Sequence, residues 1–145
     1  MISPPSPELA AALADEPPGR ALDLACGRGR HAAWLAERGW QVTAVDLEPA
    51  IIPNVRFVRC DLERDSYPVE PGGWDLIVCW LYWQANLLPV IMAGVRQGGV
   101  VALAGKTTGR FETSLANYRS AFPGWQELAS GEADGRAWFI ARRSR

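Results

Sequence analysis

The sequence predicts an α/β fold: a Rossmann-like open, mostly parallel twisted sheet of about seven strands, with helices on both faces and an antiparallel C-terminal hairpin. Three observations carry this expectation. Short apolar or β-branched runs alternate with segments of helical periodicity. A glycine turn joins the first apolar run to the first long helix. The chain then closes on two alternating runs separated by glycines.

The elements follow in order. Residues 1–19 hold prolines around a helix-compatible piece, Pro7 to Leu13, and read as a short cap. Ala21 to Ala25 is a short apolar strand, and Arg30 to Arg38 a helix that Gly39 stops. "WQVTAVD" alternates apolar and polar residues, which predicts a strand from Gln41 to Val45 ending at Asp46. The link "LEPAIIPN" is short for a parallel crossover, which usually needs about a dozen residues, and Pro49 and Pro53 limit it to a helical turn at most. A strand follows at Arg56 to Arg59. "DLIVCWLYW", from Asp75, opens as a run of the kind buried on both faces of a parallel sheet.

Leu87 to Arg96 reads as a helix closed by Gly98 and Gly99, before the strand "VVALAG". "KTTGRF" is a polar loop, and a helix spans Thr113 to Ala121. In "WQELASGEADGRAWFIARR" two strands flank a turn placed at Gly131 to Gly135.

Composition bounds the function. A chain of 145 residues with 48% apolar content supports one core. No apolar run reaches the ~18 residues of a membrane span, and the N-terminus lacks a secretory pattern, so the expected address is cytoplasmic, with no membrane partner. Fifteen basic side chains against sixteen acidic ones give no reason to expect nucleic acid as a partner. Cys26, Cys60 and Cys79 lack paired spacing, which predicts buried free thiols rather than disulfides or zinc; no metal site is expected. The acidic cluster "DLERD" reads as a loop.

Gly27, Gly29 and Ala32 fit G-x-G-x-x-A, the loose dinucleotide fingerprint. Such a turn lets backbone approach a ligand and presents helix N–H groups to it. Asp23 restricts which ligand. A carboxylate in the strand before the turn repels a pyrophosphate but suits a ligand with a cationic end. Asp46, at the end of the next strand, is placed to accept hydrogen bonds from two ribose hydroxyls. Together they fit a nucleoside with a positively charged appendage.

The ordered set "LDLACGRG", "VTAVDLEP", "VRFVRCDL", "GGWDLIVC" and "RQGGVVAL" resembles the class I S-adenosylmethionine-dependent methyltransferases over roughly residues 20–105, and most of all their small tellurite-resistance and ubiquinone-biosynthesis-like branches. The resemblance implies S-adenosyl-L-methionine as cofactor and a methyl transfer to a small-molecule acceptor. It implies that Asp23, Ala25, Cys26, Gly27 and Gly29 surround the methionine half, Asp46 the ribose, and Leu47, Asp61 and Leu62 the adenine. Cys79 and Trp80 would face the sulfonium region, mainly through backbone carbonyls. It further implies one methyltransferase-like domain, 1–145, with a cap at 1–19, a cofactor-binding half at 20–105 and a C-terminal helix and hairpin at 106–145. The chain departs from the family at Ala25, where the first glycine of the motif usually stands. It departs again at 47–54, where a helix is usual. Its loss would expose a sheet face, only partly covered by Ile51 and Ile52, so a homodimer is a partner to consider.

A sulfonium methyl needs alignment of an acceptor in line with the methyl–sulfur bond more than it needs a base. Candidates on the acceptor side are Tyr82, Trp83, Gln84 and Asn86, with Tyr118 further off. His31 is a candidate base, or else a first-turn histidine that packs. Two rival functions stand beside the enzyme: a non-catalytic or degenerate S-adenosylmethionine-binding module acting with a partner, and a nicotinamide-dependent reductase, which Asp23 and the hairpin oppose.

Overall fold

A computed structural model describes residues 3–145. Its strands are β1 (Arg20–Leu24), β2 (Gln41–Asp46), β3 (Arg56–Arg59), β4 (Trp74–Trp80), β5 (Val95–Lys106), β6 (Gln126–Ala133) and β7 (Arg136–Arg142). The helices are α1 (Pro7–Leu13), α2 (Arg30–Glu37), α3 (Leu88–Gly94) and α4 (Leu115–Ala121). One seven-stranded sheet runs β3-β2-β1-β4-β5-β7-β6, parallel from β3 to β5 and antiparallel through β7 and β6. The chain winds outward in both directions from the β1/β4 pair. The crevice beyond the carboxyl ends of those two strands is where open α/β sheets bind ligands.

Strand alternation sorts the core into two layers. Ala21, Val42, Ala44, Leu76, Val78, Val100, Ala102 and Ala104 face α1 and α2; Leu22, Leu24, Val45, Ile77, Cys79, Val101 and Leu103 face α3 and α4. Helices therefore cover both faces, as predicted. The first helix is more than a cap: Leu9 and Leu13 are buried in the first layer. Its Glu8, and Glu16 just beyond its end, reach Arg136 at 2.8 Å and Arg142 at 2.7 Å on β7.

Four local expectations need correction. The third helix ends at Gly94, and Arg96 already lies in β5; Val95 pairs with Trp74, and a bulge follows before Val100 pairs with Leu76. The two glycines are part of that bulge and do not close the helix. Gly98 has φ +79°, and a Cβ on Gly99 would press on the Asp75 carbonyl. The fourth helix begins after Ser114, whose Oγ accepts the Asn117 N–H at 3.1 Å, which leaves Thr113 outside. The hairpin turn is only Asp134 and Gly135, both with positive φ, so Gly131 lies within β6 against Trp138.

The link between β2 and β3 forms no α-helix, as expected, and the sheet face beside it is only partly covered: Phe57 and Val58 of β3 are half-buried. Ile52 turns inward against Gly29 and joins the core layer that holds Val42 and Ala44, while Ile51 is 98% exposed. Of the two isoleucines, Ile52 alone supplies cover.

Candidate functional site

Three adjoining cavities open along the carboxyl ends of β1, β2, β4 and β5, and Leu81 walls all three. The largest, about 630 Å³, lies between the glycine turn and Trp80; its walls include Asp23, Ala25, Cys26, Gly27, Arg30 and His31. The second, about 290 Å³, is bounded by Ala25, Asp46, Leu47, Asp61, Leu62 and Tyr82. The third, about 300 Å³, lies between the loops after β4 and β5.

Local backbone explains why the turn bends here. Ala25, Gly27 and Gly29 all have positive φ, at 56°, 59° and 86°. This conformation is easy for glycine and costs an alanine about 1 kcal/mol. A Cβ on Gly27 would meet no protein atom, so at this residue the cavity reaches bare backbone; one on Gly29 would strike Ile52. Two hydrogen bonds hold the turn from the neighbouring strand: Cys26 N–H to the Val45 carbonyl at 3.0 Å, and Gly27 N–H to Asp46 Oδ2 at 2.9 Å. The other Asp46 oxygen accepts the Glu48 N–H at 2.9 Å.

Asp23 is 1% exposed, and its Oδ2 has no hydrogen-bond partner among the described residues. Burial, followed by the negative charge of Asp46, pushes its carboxyl up to about 8; the Ala32 backbone amide and Arg30 pull the other way. An orphaned buried carboxyl in the wall of a cavity implies a cationic or proton-donating partner. The residues thus fit the ammonium end of S-adenosylmethionine.

His31 is placed beside this cavity but is already engaged. Its Nε2 accepts the Ser6 N–H at 3.2 Å, and its ring meets Trp80 edge-on. Trp80 Nε1 in turn donates to Ser6 Oγ at 2.9 Å. Burial, and then Arg30, lowers the imidazole to about 4, so it is neutral and serves as an acceptor.

Asp61 turns one oxygen into its own loop, accepting the Glu63 N–H at 3.0 Å, while Leu62 is buried below the second cavity. Tyr82 donates to Gln84 Oε1 at 2.6 Å. Gln84 Nε2 donates to the Leu62 carbonyl at 2.9 Å and to Asn86 Oδ1 at 2.7 Å. This chain ties the loop after β4 to the loop after β3. Burial and the Glu63 charge push the Tyr82 phenol up to about 12.

Cys79 lines none of the three cavities. Its side chain lies in the layer under α3 and α4, and burial raises its thiol, as it does that of Cys26. Cys60 is only half-buried, against the expectation of a buried thiol. Tyr118 is buried, its hydroxyl over Gly105 and its ring against Trp83. Sequence reasoning missed the wall from Pro49 to Ile51 and, within residues 106–120, which it set on the acceptor side, did not single out Lys106, Arg110 and Phe111. The first had been read as a shortened link and the second as a polar loop; neither carries a periodic signal.

A profile described as a methyltransferase domain matches residues 21–99, more than half of the chain. The chain belongs to the class I S-adenosylmethionine-dependent methyltransferases. This methyltransferase-family chain is 28% identical over 144 aligned residues to a trans-aconitate 2-methyltransferase of Deinococcus radiodurans, an alignment covering 80% of the chain and 54% of the relative. It therefore spans about half the length of that relative. In fold it resembles TehB from Haemophilus influenzae, with a TM-score of 0.80 at 16% identity over 96% of this chain and 62% of the other. It also resembles the 1,6-didemethyltoxoflavin-N1-methyltransferase of Burkholderia thailandensis, solved with S-adenosylhomocysteine, at TM-score 0.68, 23% identity and coverages of 94% and 75%. Among the described residues no helix of the family member is long and apolar enough to cross a membrane. No group of three or more His, Cys, Asp or Glu side chains gathers there to hold a metal.

Proposed function

We propose that the chain binds S-adenosylmethionine along the first two cavities and transfers its methyl group to a small molecule, with catalysis mainly by positioning. The observation that carries this reading is Asp23, a buried carboxyl whose Oδ2 has no partner among the described residues, in the wall of a cavity that also exposes the Gly27 backbone. In this reading Asp23 faces the ammonium of the methionine half, and Ala25, Cys26, Gly27 and Gly29 supply the backbone around it. Asp46 accepts from the ribose while keeping Gly27 in place. Leu47 and Leu62 enclose the adenine, whose amine donates to Asp61. Trp80, with the backbone at Cys79, borders the sulfonium side.

The cofactor supplies an electrophilic methyl on a sulfonium, which reacts without acid activation. The chain's own task is to orient the acceptor and exclude water. A dedicated base is not required of these residues. His31 is neutral and engaged with Ser6, and Tyr82 holds its proton to about pH 12, in support of positioning over proton abstraction. His31 acts here by fixing the Ser6 and Trp80 end of the site. The division of labour follows: the segments up to the end of β4 hold the cofactor, and the loop after β4 together with residues from 106 onward walls the acceptor side.

Transfer of labelled methyl from S-adenosylmethionine to a panel of metabolites tests the reading. Turnover of at least one acceptor supports it. Tight S-adenosylhomocysteine binding with no turnover over a broad panel favours the binding module instead.

A further inference from the structure

The third cavity is walled by Leu81, Tyr82, Trp83, Lys106, Arg110 and Phe111. Two features bear on what it holds. It is lined by aromatic rings, Trp83 standing edge-on to buried Tyr118 and Phe111 lying 54% exposed. It also carries two cations, Lys106 and Arg110, that join none of the ion pairs among the described residues, as Arg28 and Arg30 in the wall of the largest cavity also join none. Lys106 is the one lysine in the chain and ends β5, beside the carboxyl end of β4. Arg110 holds its guanidinium 5.1 Å from the centre of the Phe111 ring, spread over an apolar face. The one carboxylate in the wall is Glu63, whose charge is felt at Tyr82.

Resting on the methyltransferase reading above, we infer that the acceptor is a small organic acid, its carboxylate held by Lys106 and Arg110 and its carbon frame lying against Trp83 and Phe111. A guanidinium and an ammonium in the wall of one cavity favour an anion, and the guanidinium fork matches a carboxylate's two oxygens. The aromatic rings supply the apolar surface that gives a small ligand most of its affinity. A cavity of about 300 Å³ suits a compact molecule rather than a polymer. Glu63 adds a second selection: it disfavours another carboxylate near Tyr82 and accepts from a hydroxyl or amine there. The favoured acceptor therefore has one acid at one end and a neutral or hydrogen-bond-donating group at the other.

The test is binding of matched pairs, each an acid with its primary amide: benzoic, 4-hydroxybenzoic, indole-3-acetic and hexanoic. Affinities are measured by titration into the full chain saturated with S-adenosylhomocysteine. At least one acid is expected to bind about tenfold or more tightly than its amide. Lys106→Gln and Arg110→Gln should each weaken that acid by about tenfold to a hundredfold, the amide by much less, and S-adenosylhomocysteine not at all. Acids and amides binding alike, no acid binding, or variants without effect overturns the inference while cofactor binding still stands. Failure of S-adenosylhomocysteine to bind the folded chain overturns the methyltransferase reading, and this one with it.

Discussion

The Asp46 carboxylate accepts the backbone N–H of Gly27 at 2.9 Å and so ties the end of β2 to the glycine turn after β1. The acid proposed for the ribose is also what holds the turn. Asp46→Asn leaves either Gly27 or Glu48 facing an amide nitrogen, and because the site is partly open the expected loss of stability is about 1 kcal/mol. S-adenosylhomocysteine affinity should fall by about tenfold or more. Chemical denaturation and calorimetry check the two effects separately.

Asp23 makes cofactor binding proton-linked. With its carboxyl raised from 3.8 to about 8, the folded chain holds a proton near pH 7 that the unfolded chain has released. Stability from this group is therefore complete below about pH 4 and declines as pH rises towards 8. A cation arriving beside Asp23 favours the ionised form, so binding at pH 7 should release close to one proton. Titrations in phosphate and in Tris measure it as a difference in apparent enthalpy, which Asp23→Asn should abolish. Equal apparent enthalpies in the two buffers for the unaltered chain would contradict the assignment.

His31 acts in the opposite sense. Its imidazole is lowered from 6.5 to about 4, so the unfolded chain takes up a proton in that interval while the folded chain does not. Stability is lost as pH falls from about 6.5 to 4, by an amount on the order of 3 kcal/mol. In His31→Asn the fall in melting temperature across that window should be shallower, whatever the variant's stability at pH 7.

Ala25 is an alanine in a glycine's conformation, at φ 56°. Ala25→Gly relieves strain in the folded state and adds freedom in the unfolded one, and the two nearly offset. Expected is a change between zero and a gain of about 1 kcal/mol, where the same exchange at an ordinary strand or helix position costs about that much. S-adenosylhomocysteine affinity should be kept or improved, since only a methyl beside the cavity is removed.

The succession of strands and helices and the two-sided helix cover were legible because they rest on period, apolar runs and punctuating glycines. Asp23 stood out for a similar reason: a carboxylate inside a buried strand breaks the pattern and needs a partner. What escaped the sequence depends on distances between segments. Nothing in "LEPAIIPN" tells which isoleucine turns inward, and the structure sends Ile52 against Gly29 while Ile51 faces solvent. Gly98 and Gly99 look like a helix stop, and only pairing with β4 turns them into a bulge. Lys106 and Arg110 were visible as charges in a loop, but their convergence with Trp83 is tertiary.

The central claim is that Asp23, the glycine turn and Asp46 together form an S-adenosylmethionine site. Calorimetric titration of the folded chain with S-adenosylhomocysteine, with reduced nicotinamide dinucleotide as the control ligand, tests it most directly. One S-adenosylhomocysteine per chain, weakened by Asp46→Asn and by Asp23→Asn, is the predicted result. Binding of the nicotinamide without S-adenosylhomocysteine, or affinity indifferent to both substitutions, would contradict it.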